Sequence, residues 1–308
     1  MKRITIGTRG SALALAQANW VKDRLLQHFP GCQITVLPIK TTGDQMSTVP
    51  ISEMGGKGVF IKEIEKALLD GTIDCAVHSM KDLPMELPHG LLITAIPFRE
   101  DPSDVFVSER YPTLDALPPE ATVATGSLRR KVQLLHYRND LAIKAIRGNV
   151  DTRLAKLNSG FAEGLVVAAA ALKRLNKASR ISEYLTFDIC LPAAGQGALG
   201  IEVRAKDVTL RKELKLLNDP ESYRTVTGER SCLRHLGVDC HTPVTAFGEI
   251  KANILTLKGL VASLDGKEIV RKTVQGPPED TEQLGEFLAT QIIQGGGREL
   301  LNHLSRNQ

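Results

Sequence analysis

Residues 4–7, Ile4-Thr5-Ile6-Gly7, alternate apolar and polar and predict a short strand. Thr8-Arg9-Gly10 makes a small turn, and Ser11 stands where a helix N-cap belongs. Leu13, Ala16, Trp20, Val21 and Leu25 then recur at helical spacing until Phe29-Pro30-Gly31 stops the helix. Residues 33–39 read as the next strand, completing a β-α-β opening. Residues 41–58 are a long polar loop, either a lid or a surface insert. Residues 60–69 form an amphipathic helix with Phe60, Ile61, Ile64, Ala67 and Leu68 on its apolar face. Residues 73–78 read as a buried strand running into Ser79-Met80-Lys81-Asp82-Leu83-Pro84.

A strand at 92–97 and a crossover at Arg99-Glu100-Asp101-Pro102 lead to a second β-α-β unit. Its strand is 122–125, its helix runs from Leu128 to about Tyr137 behind Gly126-Ser127, and its second strand is 142–146. A helix at 150–158 and a buried strand at 165–170 follow. The small-residue segment 191–198 predicts a second crossover, and 198–203 a strand that returns to the first domain. Farther on, 254–264 and 267–274 read as a hairpin around Asp265-Gly266. A helix at 280–293, with Asp280 as N-cap, ends in Gly295-Gly296-Gly297. The expected fold class is therefore α/β in more than one domain, closed by a small α+β domain from about residue 217.

Composition narrows this picture. With 308 residues, 42% hydrophobic and 24% charged, the chain reads as an ordinary soluble multidomain protein. Its longest apolar run, 164–172, is far short of a membrane span. Arg9 and Gly10 interrupt the N-terminal Ala/Leu run, so no export signal is read. Five cysteines without metal-type pairs fit a reducing cytoplasm better than a disulfide framework. Aromatic residues are 4%, with no stacking platform for bases, so nucleic acid is not an expected partner.

Charge is distributed unevenly. Residues 123–156 hold eight Lys/Arg against two acids, a balance of +6 in a chain of +4, so the remainder sums to −2. An anionic partner such as a small carboxylate or phosphate is implied. Arg9, Arg129, Arg130, Arg147 and Arg153 sit at strand-to-helix junctions, where a guanidinium can take a carboxylate bidentately. Lys131, Arg138, Lys144 and Lys156 read as solvated. Strand ends line the crevice of an open α/β sheet, so Lys81 and Asp82 are expected to face a cleft. Asp82 is the leading acid/base candidate, with a structural ion pair or turn cap as the bland alternative. Cys240 stands beside His241 in a loop-like setting, and the residues alone leave it either reactive or a small core thiol. No metal-ligand constellation is present.

The motifs together resemble the porphobilinogen deaminase (hydroxymethylbilane synthase) family over the full length. The resemblance rests on Gly7-Thr8-Arg9-Gly10-Ser11-Ala12-Leu13-Ala14, Gly55-Gly56-Lys57-Gly58-Val59-Phe60 and His78-Ser79-Met80-Lys81-Asp82-Leu83-Pro84. It continues through Arg99-Glu100-Asp101-Pro102, Ser127-Leu128-Arg129-Arg130, Ile146-Arg147-Gly148-Asn149, Thr152-Arg153 and the run from Leu191 to Ala198.

The resemblance implies three domains: 1–98 with 198–216, 99–197, and 217–308. The first two would resemble the halves of type II periplasmic binding proteins, and the third would be a small α+β domain with an antiparallel sheet. It implies a dipyrromethane cofactor joined by a thioether to Cys240 and contacted by Lys81, Ser127, Arg129 and Arg130. Arg9, Ser11, Arg147, Arg153, Phe60 and Gln196 would bind substrate, and Asp82 would stabilise the cationic azafulvene formed when porphobilinogen loses ammonia. The implied activity is head-to-tail condensation of four porphobilinogen molecules on this primer, then hydrolytic release of hydroxymethylbilane. A cytoplasmic monomer, with no membrane or nucleic-acid partner, is expected, and a loop over the cleft would cover about 45–56. The alternatives are a non-catalytic anion-binding protein or an inactive paralogue. Two departures are visible: Gly126 stands where the family has a serine, and Asp239-Cys240-His241 stands where it has Gly-Cys-Gln.

Overall fold

The computed structural model describes residues 3–42, 61–238 and 242–306. The chain forms two compact units. The first runs through Arg99 and takes up Ala198–Tyr223; the second comprises Glu100–Gly197 and the chain from Arg224 onward.

The first unit opens with β1 (Arg3–Arg9), α1 (Ala12–His28) and β2 (Gln33–Ile39). Ser11 caps α1, its side chain accepting the Ala14 N–H. Next come α2 (Lys62–Leu69), β3 (Cys75–Ser79), a 3₁₀ turn at Met80–Asp82, and β4 (Leu91–Ala95). After the excursion into the second unit, β10 (Leu199–Arg204) enters this sheet, whose order is β2-β1-β3-β10-β4. β1 is parallel to β2 and β3, while β10 is antiparallel to β3 and β4. Ile4, Ile6, Val77, Ile201 and Val203 pack against Ala18, Val21 and Leu25 of α1. Of the residues whose spacing predicts the helix, Val21 and Leu25 are buried and Trp20 packs at the edge of the cluster, while Leu13 and Ala16 are half-buried and Ala14 and Ala18 complete the buried face.

The second unit contains β5 (Asp104–Val107), β6 (Thr122–Ala124), α3 (Leu128–Tyr137), β7 (Ala142–Lys144), α4 (Val150–Asn158), β8 (Gly164–Ala168), α5 (Ala169–Arg174) and β9 (Glu183–Tyr184). Its sheet order is β7-β6-β8-β5-β9, with β6 parallel to β7 and β8. The expected strand at 165–170 ends two residues early. Ala169 starts α5, because the β-branched run stops at Val167 and the alanines that follow favour helix.

The chain beyond β10 continues as α6 (Val208–Leu214) and α7 (Pro220–Leu236). The C-terminal part is a three-stranded antiparallel sheet of β11 (Val244–Lys251), β12 (Ile254–Ala262) and β13 (Ile269–Gly276), with α8 (Thr281–Ile292) against it. The hairpin is longer-looped than the Asp-Gly signal implies. Ala262 pairs with Ile269, and the Gly266 N–H donates to Ser263 O, with Gly266 at φ 75°. Asp280 precedes α8 but makes no side-chain cap; it closes a 3₁₀ turn, Pro278–Asp280, instead. After a kink at Gly296 (φ 103°), α9 (Arg298–Arg306) ends the described chain.

Among the described residues no helix is long and apolar enough to cross a membrane.

Candidate active site

In the first unit, the C-terminal ends of the parallel neighbours β1 and β3 open beside the N-terminus of α1. A cavity of about 60 Å³ lies there, lined by Thr8, Arg9, Ser11, Gln17, His78, Ser79 and Asp82, with Leu13, Ala14, Ile61 and Val77 as its apolar part. Gln17 Nε2 donates to Ser79 Oγ at 2.9 Å, joining α1 to the end of β3. The buried Thr8 hydroxyl donates to Ala14 O at 3.3 Å, holding the turn that presents Arg9.

Three of the expected residues, Arg9, Ser11 and Asp82, thus share one cavity wall. Asp82 is exposed and Lys81 half-buried, both on the 3₁₀ turn that follows β3. A guanidinium and the first turn of a 17-residue helix favour an anion, while Asp82 favours a cation or N–H groups close by. A zwitterionic small molecule suits such a wall.

In the second unit, Ser127 caps α3, its side chain accepting the Arg130 N–H. Arg129 and Arg130 are 4% and 5% exposed and converge on Asp104, which is fully buried at the start of β5. Arg129 Nη1 lies 2.7 Å from Asp104 Oδ2, and Arg130 reaches Oδ1 with Nε at 2.9 Å and Nη2 at 2.8 Å. Gln196 Nε2 adds a bond to Oδ1 at 2.8 Å and another to Pro102 O at 2.7 Å. Burial alone would raise the Asp104 pKa. The guanidinia of Arg129 and Arg130 reverse this and hold the carboxyl well below the usual range. Gln133 ties the second crossover to α3, accepting the Leu191 N–H at 2.8 Å and donating to Leu191 O at 3.1 Å.

The structure therefore brings Arg129, Arg130 and Gln196 into one buried cluster. Arg147 is exposed, and Arg153 donates through Nε to Gly148 O at 2.8 Å. Phe60 and Cys240 lie outside the described residues, as does the loop at 45–56. Of the cations expected to be solvated, Arg138 is half-buried while Lys144 stays exposed. Arg138 holds both Asp140 oxygens and the carbonyls of Leu114 and Leu117, and Lys144 lies 3.9 Å from the Phe161 ring centroid.

The sequence reading passed over Asp104 and Gln133. The signal for Asp104 was present: a lone carboxylate opening the all-buried strand Asp104-Val105-Phe106-Val107 must have a cationic partner. Gln133 had no such signal, since polar residues are ordinary on a helix. Among the described residues no group of three or more His, Cys, Asp or Glu is placed to hold a metal ion.

Residues 4–212 match the family model of the porphobilinogen deaminase dipyromethane cofactor binding domain. Residues 223–294 match that of the porphobilinogen deaminase C-terminal domain. The chain belongs to the porphobilinogen deaminase family. Its relatives include the porphobilinogen deaminase of Syntrophus aciditrophicus (strain SB), 48% identical over 98% of this chain and 99% of the relative. Another is that of Pelobacter propionicus, 46% identical over 100% and 99%. Among solved structures it is similar to a putative methionine-binding lipoprotein from Bacillus subtilis (13% identity, TM-score 0.43, 70% of this chain and 90% of that one). An arginine-specific periplasmic binding protein from Salmonella typhimurium gives 16%, TM-score 0.41, and 72% and 94%. Members of the porphobilinogen deaminase family are transferases, also called hydroxymethylbilane synthases, and they carry a dipyrromethane cofactor.

Proposed function

We propose that this chain is a working hydroxymethylbilane synthase and that Asp82 is its catalytic carboxylate. The reading rests on one observation above others: Asp82, Arg9 and Ser11 line a single cavity at the strand ends. Porphobilinogen carries two carboxylates and an aminomethyl group. Arg9 and the Ser11-capped helix end take a carboxylate, and Asp82 faces the pyrrole N–H and the carbon that loses ammonia.

As the C–N bond breaks, positive charge develops on the substrate pyrrole. A fixed carboxylate beside it stabilises that charge most when water is scarce. Each condensation sets free one proton, which leaves with ammonia as ammonium. Asp82 is the nearby group that holds or passes this proton.

The residues present fit a dipyrromethane. Two buried guanidinia face one carboxylate at Asp104, so the cluster carries surplus positive charge that a carboxylate ligand balances. Ser127, Arg129, Arg130 and Lys81 are assigned to hold the cofactor's carboxylates and Cys240 to carry its thioether. When bound, the cofactor supplies the nucleophilic pyrrole carbon on which the chain grows. Gln196 acts through Arg130 and Asp104, while Arg147, Arg153 and Phe60 are assigned to the growing substrate chain. The three sheets, and the break between family models at 212 and 223, support domains at 1–98 with 198–216, 99–197 and 217–308. A cytoplasmic monomer completes the reading.

The test is Asp82→Asn. Ammonia release from porphobilinogen should fall by about 10²–10⁴-fold, while intact mass still shows the adduct on Cys240. Turnover at the wild-type rate would remove Asp82 from the mechanism. An unmodified mass in wild-type protein from a porphobilinogen-making host would favour the inactive-paralogue alternative.

A further inference from the structure

The buried cluster around Asp104 contains a thiol. Cys190 is fully buried, and its Sγ–H donates to Asp104 Oδ2 at 3.2 Å. Arg129 Nη1 donates to the same oxygen at 2.7 Å and lies 3.5 Å from the sulfur. The chain around Cys190 is held on both sides. The Cys190 N–H donates to Thr186 O at 2.9 Å, and the Leu185 N–H donates to Asp104 O at 3.0 Å. Leu191 O accepts from Arg129 Nη1 at 2.6 Å. Gln133, which grips both backbone groups of Leu191, also donates to Arg129 O at 3.2 Å. Backbone contacts therefore aim the thiol at the carboxylate.

A carboxylate offers about four lone-pair sites. Arg130 and Gln196 fill those of Asp104 Oδ1, and Arg129 and Cys190 fill those of Oδ2. Asp104 is fully buried, so solvent does not stand in for a missing donor. An unfilled site on a buried carboxylate is costly, and bonds to an ionised acceptor are the stronger kind. Burial first, and the Asp104 charge second, push the Cys190 thiol up to about 12 and outweigh the two arginines. The sulfur therefore keeps the proton that it donates.

We infer that Cys190 is a positioning residue, whose S–H completes the donor set of Asp104 and thereby fixes Arg129 and Arg130 for the cofactor's carboxylates. Without the thiol, Oδ2 is left with Arg129 alone, and the carboxylate turns to that guanidinium for its second donor. Arg129 is then drawn off the geometry in which it meets a ligand. The role in turnover rests on the cluster holding the dipyrromethane; the hydrogen bond does not.

Infrared difference spectra of the holoprotein, wild type minus Cys190→Ser and wild type minus Cys190→Ala, isolate the Cys190 S–H stretch. Cys75 and Cys232 are buried, and their thiols make no hydrogen bond among the described residues, so Cys75→Ser and Cys232→Ser supply the reference bands. The Cys190 band should lie below both in frequency. A Cys190 band at the reference position overturns the hydrogen bond and the role built on it. Steady-state ammonia release from porphobilinogen is the second readout. Cys190→Ser keeps a donor and should stay within about threefold of the wild type, while Cys190→Ala should lose about tenfold in kcat/KM. A thiol that only filled space would leave serine no better than alanine. Alanine within about twofold of the wild type, or serine as slow as alanine, overturns the positioning role. The band needs no turnover, so its failure is distinct from a failure of the enzymatic reading.

Discussion

Asp104→Asn is the most informative single change in the second unit. It keeps the side-chain shape and deletes the one negative charge between Arg129 and Arg130. The carboxylate receives N–H groups from Arg129 Nη1 (2.7 Å), Arg130 Nε (2.9 Å), Arg130 Nη2 (2.8 Å) and Gln196 Nε2 (2.8 Å). An asparagine oxygen can keep those on one side; its NH₂ then meets a guanidinium N–H on the other. Removing one partner of a buried pair costs about 3–5 kcal/mol. At about 2–4 °C per kcal/mol for a unit of this size, the melting transition should fall by about 10 °C. Thermal unfolding followed by near-UV circular dichroism at neutral pH measures it. The sign with pH is fixed as well. The folded carboxyl is held low, so its stabilisation is full above the unfolded pKa and fades as pH falls toward the folded value. The gap between wild type and variant must therefore narrow on the acid side. A Tm loss under about 2 °C, or a gap that does not narrow with acid, would refute the assignment of Asp104 as the anchor of both arginines.

Gly197→Ala should destabilise by more than about 3 kcal/mol in thermal melts, because Gly197 has φ +85° and an added Cβ would lie 2.1 Å from Glu100 O. Gly126→Ser, which restores the family's usual serine, should cost about 1–3 kcal/mol. A Cβ there would meet Ile146 O at 2.6 Å, so this chain's backbone occupies the space that a serine would need. Cys75, Cys190 and Cys232 are buried with thiols pushed up to about 12 by burial, so native protein at neutral pH should show no alkylation at these three by mass spectrometry. Labelling of Cys190 in the native state would contradict that.

The first β-α-β unit was legible because its cues are local: the Ser11 cap, the helical spacing of Leu13 to Leu25, and the Pro30-Gly31 stop all lie within thirty residues. β2 falls at the residues expected for the second strand, 33–39. β5 and β11 went unread, since Asp104 leaves β5 only three apolar residues, Thr245 interrupts the apolar run of β11, and the partners that satisfy them lie far along the chain. Asp104 is 25 residues from Arg129 and 92 from Gln196; Thr245 donates to Pro192 O, 53 residues away. The Asp265-Gly266 dipeptide announced a turn, but its length was set by where Ala262 and Ile269 pair.

By itself the sequence determined the element types, the cationic excess at 123–156, the motifs that place the chain in its family, and Asp82 at the end of a buried strand. Those follow from residue chemistry and near-neighbour spacing, which need no fold to be read. Tertiary structure alone decided which charges are spent on the protein. Asp104 draws Arg129 and Arg130 inward, and Asp140 takes Arg138. Glu202 takes His78 while one oxygen of Glu65 stays unpaired. A charge buried with a partner and a charge facing solvent are identical letters in the chain. Only the fold supplies the desolvation that makes the partner obligatory.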